Sequence, residues 1–288
     1  MDCAKLSISH CEFAQTERSE QTISSSHSDI TLNGCYFHGL AFDRHAQAVA
    51  LTCKSVASIN KNYFYKTGNG ISAIDADLYC SQNLVLSCCG HAQQQWKSTL
   101  GLFTGICIKS KGNKVQIIGN VLKNCDVGVY VGQAASPAIK DNSIDASFFS
   151  GVFIECESRP NLVNNQFNGG AKSENPISAS GKGLGILFIS AACGLVGKNT
   201  LRDFQVSPIM VFSTCHPLLK DNVFENIHID EEKQKSVEKH MLEQFQAELF
   251  AKDEYFYIVD SEVTEKELHQ VILAKNSISA VSETTPPS

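Results

Sequence analysis

The sequence lacks the cysteine spacing that binds zinc or carries a redox dithiol. Twelve cysteines are present, but no two of them form a CxxC pair, which leaves a zinc knuckle without support. No Asn-x-Ser/Thr acceptor for N-glycosylation occurs, and the first residues have neither the basic nor the apolar region of a secretory signal. These absences predict a reducing, cytoplasmic setting in which cysteine packs as a small apolar side chain.

Charge and hydrophobicity argue against nucleic acid binding and against a membrane-spanning helix. The 288 residues include 24 Lys and Arg against 30 Asp and Glu, a net charge of −6, and no basic stripe is present to bind the phosphates of a nucleic acid. No apolar run reaches the roughly 18 residues of a membrane-spanning helix. Hydrophobic residues make up 43% of the chain, which is typical of a protein with a folded core.

What the sequence does contain is a repeat. The segment GVYVGQAASPAIKDN, which begins at Gly128, is followed 23 residues later by GVFIECESRPNLVNN, which begins at Gly151. Asparagines that close such units recur along the chain, and from Asn120 onward the one long step between them holds a Gly- and Ser-rich insertion at 169–183. These closing asparagines are Asn62, Asn120, Asn142, Asn165, Asn199 and Asn222. A unit at 70–89 fits the pattern but is expected to lack the asparagine.

Each unit carries short runs in which apolar residues alternate with other residues, as in strands of three to five residues. No helical pattern separates these runs, which argues against βαβ units, and the signature of a leucine-rich repeat is missing. The sequence therefore predicts an all-β solenoid, a right-handed single-stranded parallel β-helix of about eight or nine coils. We expect the glycine to permit a tight bend, the proline to fix φ at the start of a strand, and the asparagines to adopt αL and to stack as a ladder.

The repeats resemble a known group. The segments SPAIKDNSI, RPNLVNNQF and HPLLKDNVF are similar to the right-handed β-helix repeats of the pectate-lyase-like superfamily and of intracellular eukaryotic proteins, over about residues 30–230. The Cys-rich coils followed by an acidic tail most resemble the Shc SH2-domain-binding protein group, with the F-box β-helix proteins second. This resemblance implies a protein-binding role, with signalling, spindle or midbody partners.

Three segments are expected along the chain. The β-helix occupies residues 1–229, with irregular and incomplete first coils. Residues 230–280 read as a helix–strand–helix cap, because Met241, Phe245 and Leu249 recur on one helical face and EYFYIVD reads as a strand. Residues 281–288 are expected to be disordered.

Residues for catalysis are sparse. The outward carboxylates Glu155 and Glu157 are expected to lie two or more coils from Asp75 and Asp77, too far for a general acid and base that act on one bond. We therefore expect no enzyme activity, no metal and no cofactor.

An apolar row is the main candidate for binding. Counting along the first strand of each unit predicts that one set of side chains points outward and forms a contiguous patch, which we call the first-strand ridge. The ridge residues are Tyr130, Phe153, Glu155, Leu187, Ile189, Met210 and Phe212. Either a protein partner binds this ridge, or the tail of the chain covers it. Trp96, on a predicted loop, is a second binding candidate.

Two functions follow from these observations. The favoured prediction is a non-catalytic intracellular scaffold that binds proteins. The alternative is a carbohydrate-active β-helix, either a polysaccharide lyase or hydrolase or a module that binds a glycan.

Overall fold

The chain forms a parallel β-helix. The computed structural model describes residues 4–15, 20–39, 46–88, 103–145, 147–170, 183–212, 214–235 and 255–258. Three strands make each coil, and each strand pairs in parallel with its counterpart in the coils before and after it. Eight complete coils and the first two strands of a ninth are described, so the prediction of an all-β solenoid is confirmed.

Sheet A contains the first strand of each coil and has nine parallel strands. Its strands are β1 (Lys5–Ser9), β4 (Asp29–Asn33), β7 (Val56–Asn60), β10 (Asp77–Ser81), β13 (Val115–Ile118), β16 (Ala138–Lys140), β19 (Asn161–Val163), β22 (Cys193–Gly197) and β25 (His216–Lys220). Pro137 and Pro160 come directly before β16 and β19, at the strand starts where proline was predicted.

Sheet B contains the second strand of each coil and also has nine parallel strands. Its strands are β2 (Glu12–Gln15), β5 (Tyr36–Gly39), β8 (Tyr63–Tyr65), β11 (Leu84–Leu86), β14 (Val121–Lys123), β17 (Ser143–Asp145), β20 (Gln166–Asn168), β23 (Thr200–Arg202) and β26 (Val223–Glu225). The second residue of each of these strands points into the core. Phe13, Phe37 and Phe64 stack there, with ring centroids 4.8 Å apart in each pair.

Sheet C contains the third strand of each coil and one added strand at its end. Its parallel strands are β3 (Gln21–Ser26), β6 (Gln47–Thr52), β9 (Asn69–Ile74), β12 (Thr104–Lys109), β15 (Val127–Gly132), β18 (Ser150–Ile154), β21 (Leu184–Phe188) and β24 (Ile209–Phe212). The added strand, β27 (Tyr255–Ile258), pairs antiparallel with β24.

The turn from sheet A to sheet B always has two residues. The first has a positive φ, between 54° and 66°, and the second begins the path into sheet B. Asp141 and Asn142, for example, join β16 to β17, and only Asp141 has a positive φ. The prediction that the ladder asparagine adopts αL is therefore wrong, because the residue before it makes the bend.

The ladder itself is confirmed, and hydrogen bonds define it. Asn142 Nδ2 donates to Asn165 Oδ1 at 2.9 Å and to the carbonyl of Ile117 in an earlier coil at 2.9 Å. Asn142 Oδ1 accepts from both the backbone N–H and the Nδ2 of Asn120. The same side-chain bond links Asn62, Asn83, Asn120, Asn142, Asn165, Asn199 and Asn222 in series.

Asn83 corrects the prediction that the unit at 70–89 has no ladder residue. It accepts from Asn62 and donates to Asn120 Oδ1 at 2.9 Å. Before Asn62, Cys35 holds the equivalent place, and its backbone N–H donates to Asn62 Oδ1 at 2.9 Å. The amide ladder therefore runs without a gap from Asn62 to Asn222.

The repeated glycines have a different role from the predicted bend. A Cβ added to Gly128 would lie 2.5 Å from the carbonyl oxygen of Gly151, and a Cβ on Gly151 would lie 2.7 Å from that of Gly185. Neither Gly128 nor Gly151 has a positive φ. Glycine is needed at these positions because neighbouring coils approach too closely for any side chain.

The tail is described only in part. Residues 231–235 are helical, and Asp230 Oδ1 caps the helix by accepting from the backbone N–H groups of Glu232 and Lys233. β27 confirms the predicted strand, and it covers the last edge of sheet C. Met241, Phe245, Leu249 and the second predicted helix lie outside the described residues, so the boundaries at 229 and 280 and the disordered tail stay predictions.

None of the residues that the structure describes forms a helix with the length and hydrophobicity needed to cross a membrane.

Candidate functional site

The first-strand ridge lies on sheet C, because the units of the sequence repeat begin with strands of that sheet. It is aligned as predicted, but it is not exposed. The strand registers place Tyr130, Phe153, Leu187 and Met210 in one column across four neighbouring coils. Phe153 is only 2% exposed, however, and Leu187, Ile189, Met210 and Phe212 are buried as well. Of the two expected alternatives, this burial favours a ridge covered by the chain itself over one left open for a partner. What a partner could reach here is limited to Tyr130 and Glu155, which are half-buried.

Tyr130 and Glu155 form a polar cluster with Lys109 at the end of this column. The Tyr130 hydroxyl donates to the Glu155 carboxylate, and Lys109 Nζ lies 5.2 Å from the centre of the Tyr130 ring. Burial, together with the hydrogen bond to Glu155, raises the pKa of the Tyr130 phenol above its usual range. The phenol therefore stays protonated at neutral pH and acts as a hydrogen-bond donor.

Gly132 makes room for this cluster. Its neighbour in the preceding coil is Lys109, and a Cβ at Gly132 would lie 2.5 Å from the Tyr130 hydroxyl oxygen. The phenol thus lies across the glycine and reaches Glu155, which directly follows the strand residue paired with Val131. A larger residue at 132 would displace the hydroxyl.

The other acidic residues that were considered for catalysis serve the turns. Asp77 Oδ1 accepts from the backbone N–H of Lys114 at 2.8 Å, and Asp75 Oδ1 accepts from Asn113 Nδ2 at 3.4 Å. Within the described ranges no group of three His, Cys, Asp or Glu side chains is placed to hold a metal ion. Trp96 lies outside the described residues.

A second surface, on the outer face of sheet B, was not identified from the sequence. Tyr36 and Tyr63 pair in register, and their rings stack with centroids 5.0 Å apart and planes 13° apart. His38 stacks on Tyr36 at 4.7 Å, and Tyr65 lies 6.1 Å from Tyr63. Four aromatic side chains of two neighbouring coils therefore share one outer face, and all four are half-buried.

Leucines extend this surface into the next coil. Leu84 pairs with Tyr63, and Leu86 pairs with Tyr65. We call these residues together the aromatic patch, which comprises Tyr36, His38, Tyr63, Tyr65, Leu84 and Leu86. Partial burial and the neighbouring phenols of Tyr36 and Tyr65 raise the pKa of Tyr63, so the Tyr63 hydroxyl stays protonated at neutral pH.

The signal for the aromatic patch is present in the sequence as two short segments. CYFHG and NYFYK begin with the ladder positions Cys35 and Asn62, and each alternates an inward Phe with outward aromatic side chains. The outward positions were counted only for strands of sheet C, so the equivalent positions of sheet B were missed.

Comparison with known proteins agrees with the fold. The family model described as "Right handed beta helix region" matches residues 104–237, and with the three parallel sheets it supports a right-handed β-helix protein. The comparisons with curated proteins and with solved structures gave no match. The matched region supports the coil architecture and assigns no function to any residue.

Proposed function

We propose that this β-helix is a non-catalytic scaffold that binds a protein partner through the aromatic patch. The observation that carries the proposal is the set of half-buried tyrosines on one rigid outer face. Tyrosine supplies a large apolar contact area with a polar tip, and it is enriched in protein interfaces. Contiguous aromatic and aliphatic surface of this kind commonly marks an interaction site.

The ring stacking favours a protein over a glycan. A pyranose binds an aromatic residue by lying on an open ring face. Tyr36 and Tyr63 cover each other's faces at 5.0 Å, and His38 lies against Tyr36. The patch therefore offers little open ring face to a sugar, whereas a protein partner can use its ring edges, hydroxyls and leucines.

The cysteines support a reducing compartment for this scaffold. All ten described cysteines are thiols rather than disulfides, and several of them, such as Cys80, are packed in the core. A cytoplasmic protein is the proposal that follows. Signalling, spindle or midbody partners are the finer proposal, and they rest on the sequence resemblance to the Shc SH2-domain-binding group.

One observation favours the carbohydrate-active alternative. Lys109, Tyr130 and Glu155 lie on three successive coils of one outer face, and a carboxylate beside a basic residue is a common arrangement for acid–base chemistry. The cluster holds a single carboxylate, and that carboxylate already accepts from Tyr130. A hydrolase of the usual type needs two carboxylates, so the scaffold remains the stronger proposal.

A comparison of two tyrosine variants tests the scaffold. Tyr36→Ala/Tyr63→Ala removes the stacked pair from the patch, and Tyr79→Ala is the matched control because Tyr79 is 43% exposed on the outer face of sheet A. Proteins retained from cytosolic extract by the wild type should also be retained by the control and lost from the double variant. Thermal unfolding of all three proteins must show that each is folded. Equal retention by the double variant would refute the patch as the binding surface.

A further inference from the structure

Two lysines flank the tyrosines of the aromatic patch. In the segment KNYFYK, Lys61 directly precedes the ladder residue Asn62, and Lys66 directly follows β8, the strand that carries Tyr63 and Tyr65. Both lysines are exposed. Lys66 Nζ lies 5.0 Å from the centre of the Tyr65 ring. Neither ammonium group forms an ion pair with any residue in the described part of the chain. Lys123, farther along sheet B, differs because it pairs with Asp145 at 3.0 Å.

Glu12, which pairs in register with Tyr36 of the patch, is already engaged. Glu12 Oε1 lies 2.8 Å from His38 Nε2, so the Glu12 carboxylate interacts with the His38 imidazole, at the end of the patch next to the first coil. The side of the patch formed by β8 therefore combines apolar area with two positive charges that have no ion-pair partner among the described residues. On a chain with a net charge of −6, this is a local reversal of sign.

We infer that the aromatic patch binds an acidic polypeptide segment, with carboxylates that pair with Lys61 and Lys66 and an apolar side chain that packs on the tyrosines and leucines. This inference rests on the proposed function and specifies the chemistry of the partner. Complementary charge sets the orientation and the rate of such an encounter, and the apolar contact supplies most of the affinity.

The number of charges distinguishes this partner from a nucleic acid. Two lysines can neutralise only about two phosphates, whereas proteins that bind nucleic acid without sequence preference make several such contacts. The remaining negative charge of the chain repels a long polyanion. A short acidic segment needs only the two local charges.

A peptide selection tests the inference. A phage library of random 12-residue peptides is panned on the immobilised wild type and counter-selected on Tyr36→Ala/Tyr63→Ala, so that only peptides that need the tyrosines survive. We expect the survivors to be enriched in Asp and Glu around at least one large apolar residue. Synthetic copies should bind the wild type more weakly at high salt, because salt screens exposed charges.

Charge reversal provides the decisive comparison. Lys61→Glu/Lys66→Glu should weaken binding of the selected peptides by at least about tenfold, while Lys54→Glu/Lys111→Glu should leave it unchanged. The control makes the same change in net charge at two exposed lysines on the turns between sheets C and A. Both double variants are compared with the wild type by thermal unfolding.

The other results have distinct meanings. Surviving peptides that are not acidic, or that bind the Lys61→Glu/Lys66→Glu variant equally well, would overturn the inference and leave the patch as a protein-binding surface. Single-stranded DNA of 20 nucleotides, used as a second probe, would overturn the inference if it bound the same lysines more tightly than the peptides. A selection with no tyrosine-dependent peptide would overturn the inference too, and the extract experiment with the tyrosine variants then decides separately whether the proposed function stands.

Discussion

At the scale of single residues, the ladder position requires the amide of asparagine. Asn142 accepts two hydrogen bonds at Oδ1 from Asn120, and its Nδ2 donates to Asn165 Oδ1 and to two backbone carbonyls. Aspartate has no hydrogen to donate, and alanine would leave the buried partners unmatched. Each amide therefore connects its own coil to the coils on both sides.

The end of the ladder should be less costly to break than its middle. Asn222 Nδ2 donates to the carbonyl of Val196, but within the described residues no further ladder amide follows it. We predict that Asn142→Ala lowers the free energy of unfolding by about 1–3 kcal/mol and that Asn222→Ala lowers it by less. Urea denaturation measures both, with Asn161→Ala at an exposed position of β19 as the control. Equal losses at 142 and 161 would contradict the ladder assignment.

Much of this residue-level pattern was predictable, and one part was not. Six of the seven ladder asparagines follow from the repeat, because the two-residue turn keeps them in phase. The αL residue before each one carries no signature, since Lys61, Gln82 and Asp141 all adopt it. The ladder imposes the bend on whichever side chain precedes it, so local propensity could not reveal it.

The buried thiols allow a prediction at the same scale. Burial raises the pKa of Cys80 to about 12, and since only the thiolate reacts with alkylating agents, Cys80 stays protonated and unreactive at pH 8. The exposed Cys53 is the comparison. A short pulse of iodoacetamide followed by peptide mass spectrometry should modify Cys53 and leave Cys80 intact until urea unfolds the chain. Modification of Cys80 in the folded protein would show that the coil interior opens.

At the scale of elements, sheet C shows what alternation within a strand can and cannot predict. The period of two correctly placed Phe153 and Leu187 in one outward column. It could not predict that both faces of β18 and β21 are buried, as their uniformly buried residues show. Burial of an outer face depends on chain segments that are distant in sequence, so no count along one strand contains it.

The burial of this column determines the effect of a charge at Phe153. Phe153 is 2% exposed and packs against the Phe149 ring at 5.8 Å and the Tyr130 ring at 5.6 Å. We predict that Phe153→Glu lowers the free energy of unfolding by about 3 kcal/mol or more, because it buries an unpaired carboxylate and removes aromatic packing.

Tyr79→Glu is the control for this substitution. Tyr79 is 43% exposed, so a glutamate there should change stability by no more than about 0.5 kcal/mol. Urea denaturation compares the two variants with the wild type. A stable Phe153→Glu protein that had lost a binding partner would instead restore the first-strand ridge as an interaction surface.

At the scale of the whole molecule, the connections between the three sheets differ in how much their length varies from coil to coil. The turn from sheet A to sheet B has two residues in every coil, because the ladder runs through it. The connection from sheet B to sheet C ranges from three residues between β8 and β9 to 17 residues between β11 and β12. The repeat was visible in the sequence because the turn from sheet A to sheet B has a constant length. The irregular spacing of the repeat comes from the other connections, whose lengths vary.

The same stacking explains why neither of the two segments, taken singly, shows the aromatic patch. Tyr36 and Tyr63 are 27 residues apart in the sequence and 5.0 Å apart as stacked rings. Their contact depends on the register between β5 and β8, which follows only once every coil has been assigned. Function-bearing surfaces of a solenoid form across coils, whereas the sequence shows one coil at a time.

The arrangement of carboxylates along the whole solenoid leads to a prediction about catalysis. Asp75 directly follows Ile74. The strand registers align Ile74 with Lys109 and Gly132 in the next two coils, and Glu155 holds the same position one coil after Gly132. Asp75 and Glu155 are therefore three coils apart. At about 4.8 Å per coil, that separation is roughly 14 Å, beyond the reach of two carboxylates that act on one glycosidic bond. We predict no cleavage of polygalacturonate or pectin, with or without calcium, in assays of unsaturated products and of new reducing ends. Glu155→Gln is the control, and an activity present in the wild type and absent from this variant would identify Lys109, Tyr130 and Glu155 as a catalytic site and replace the scaffold with an enzyme.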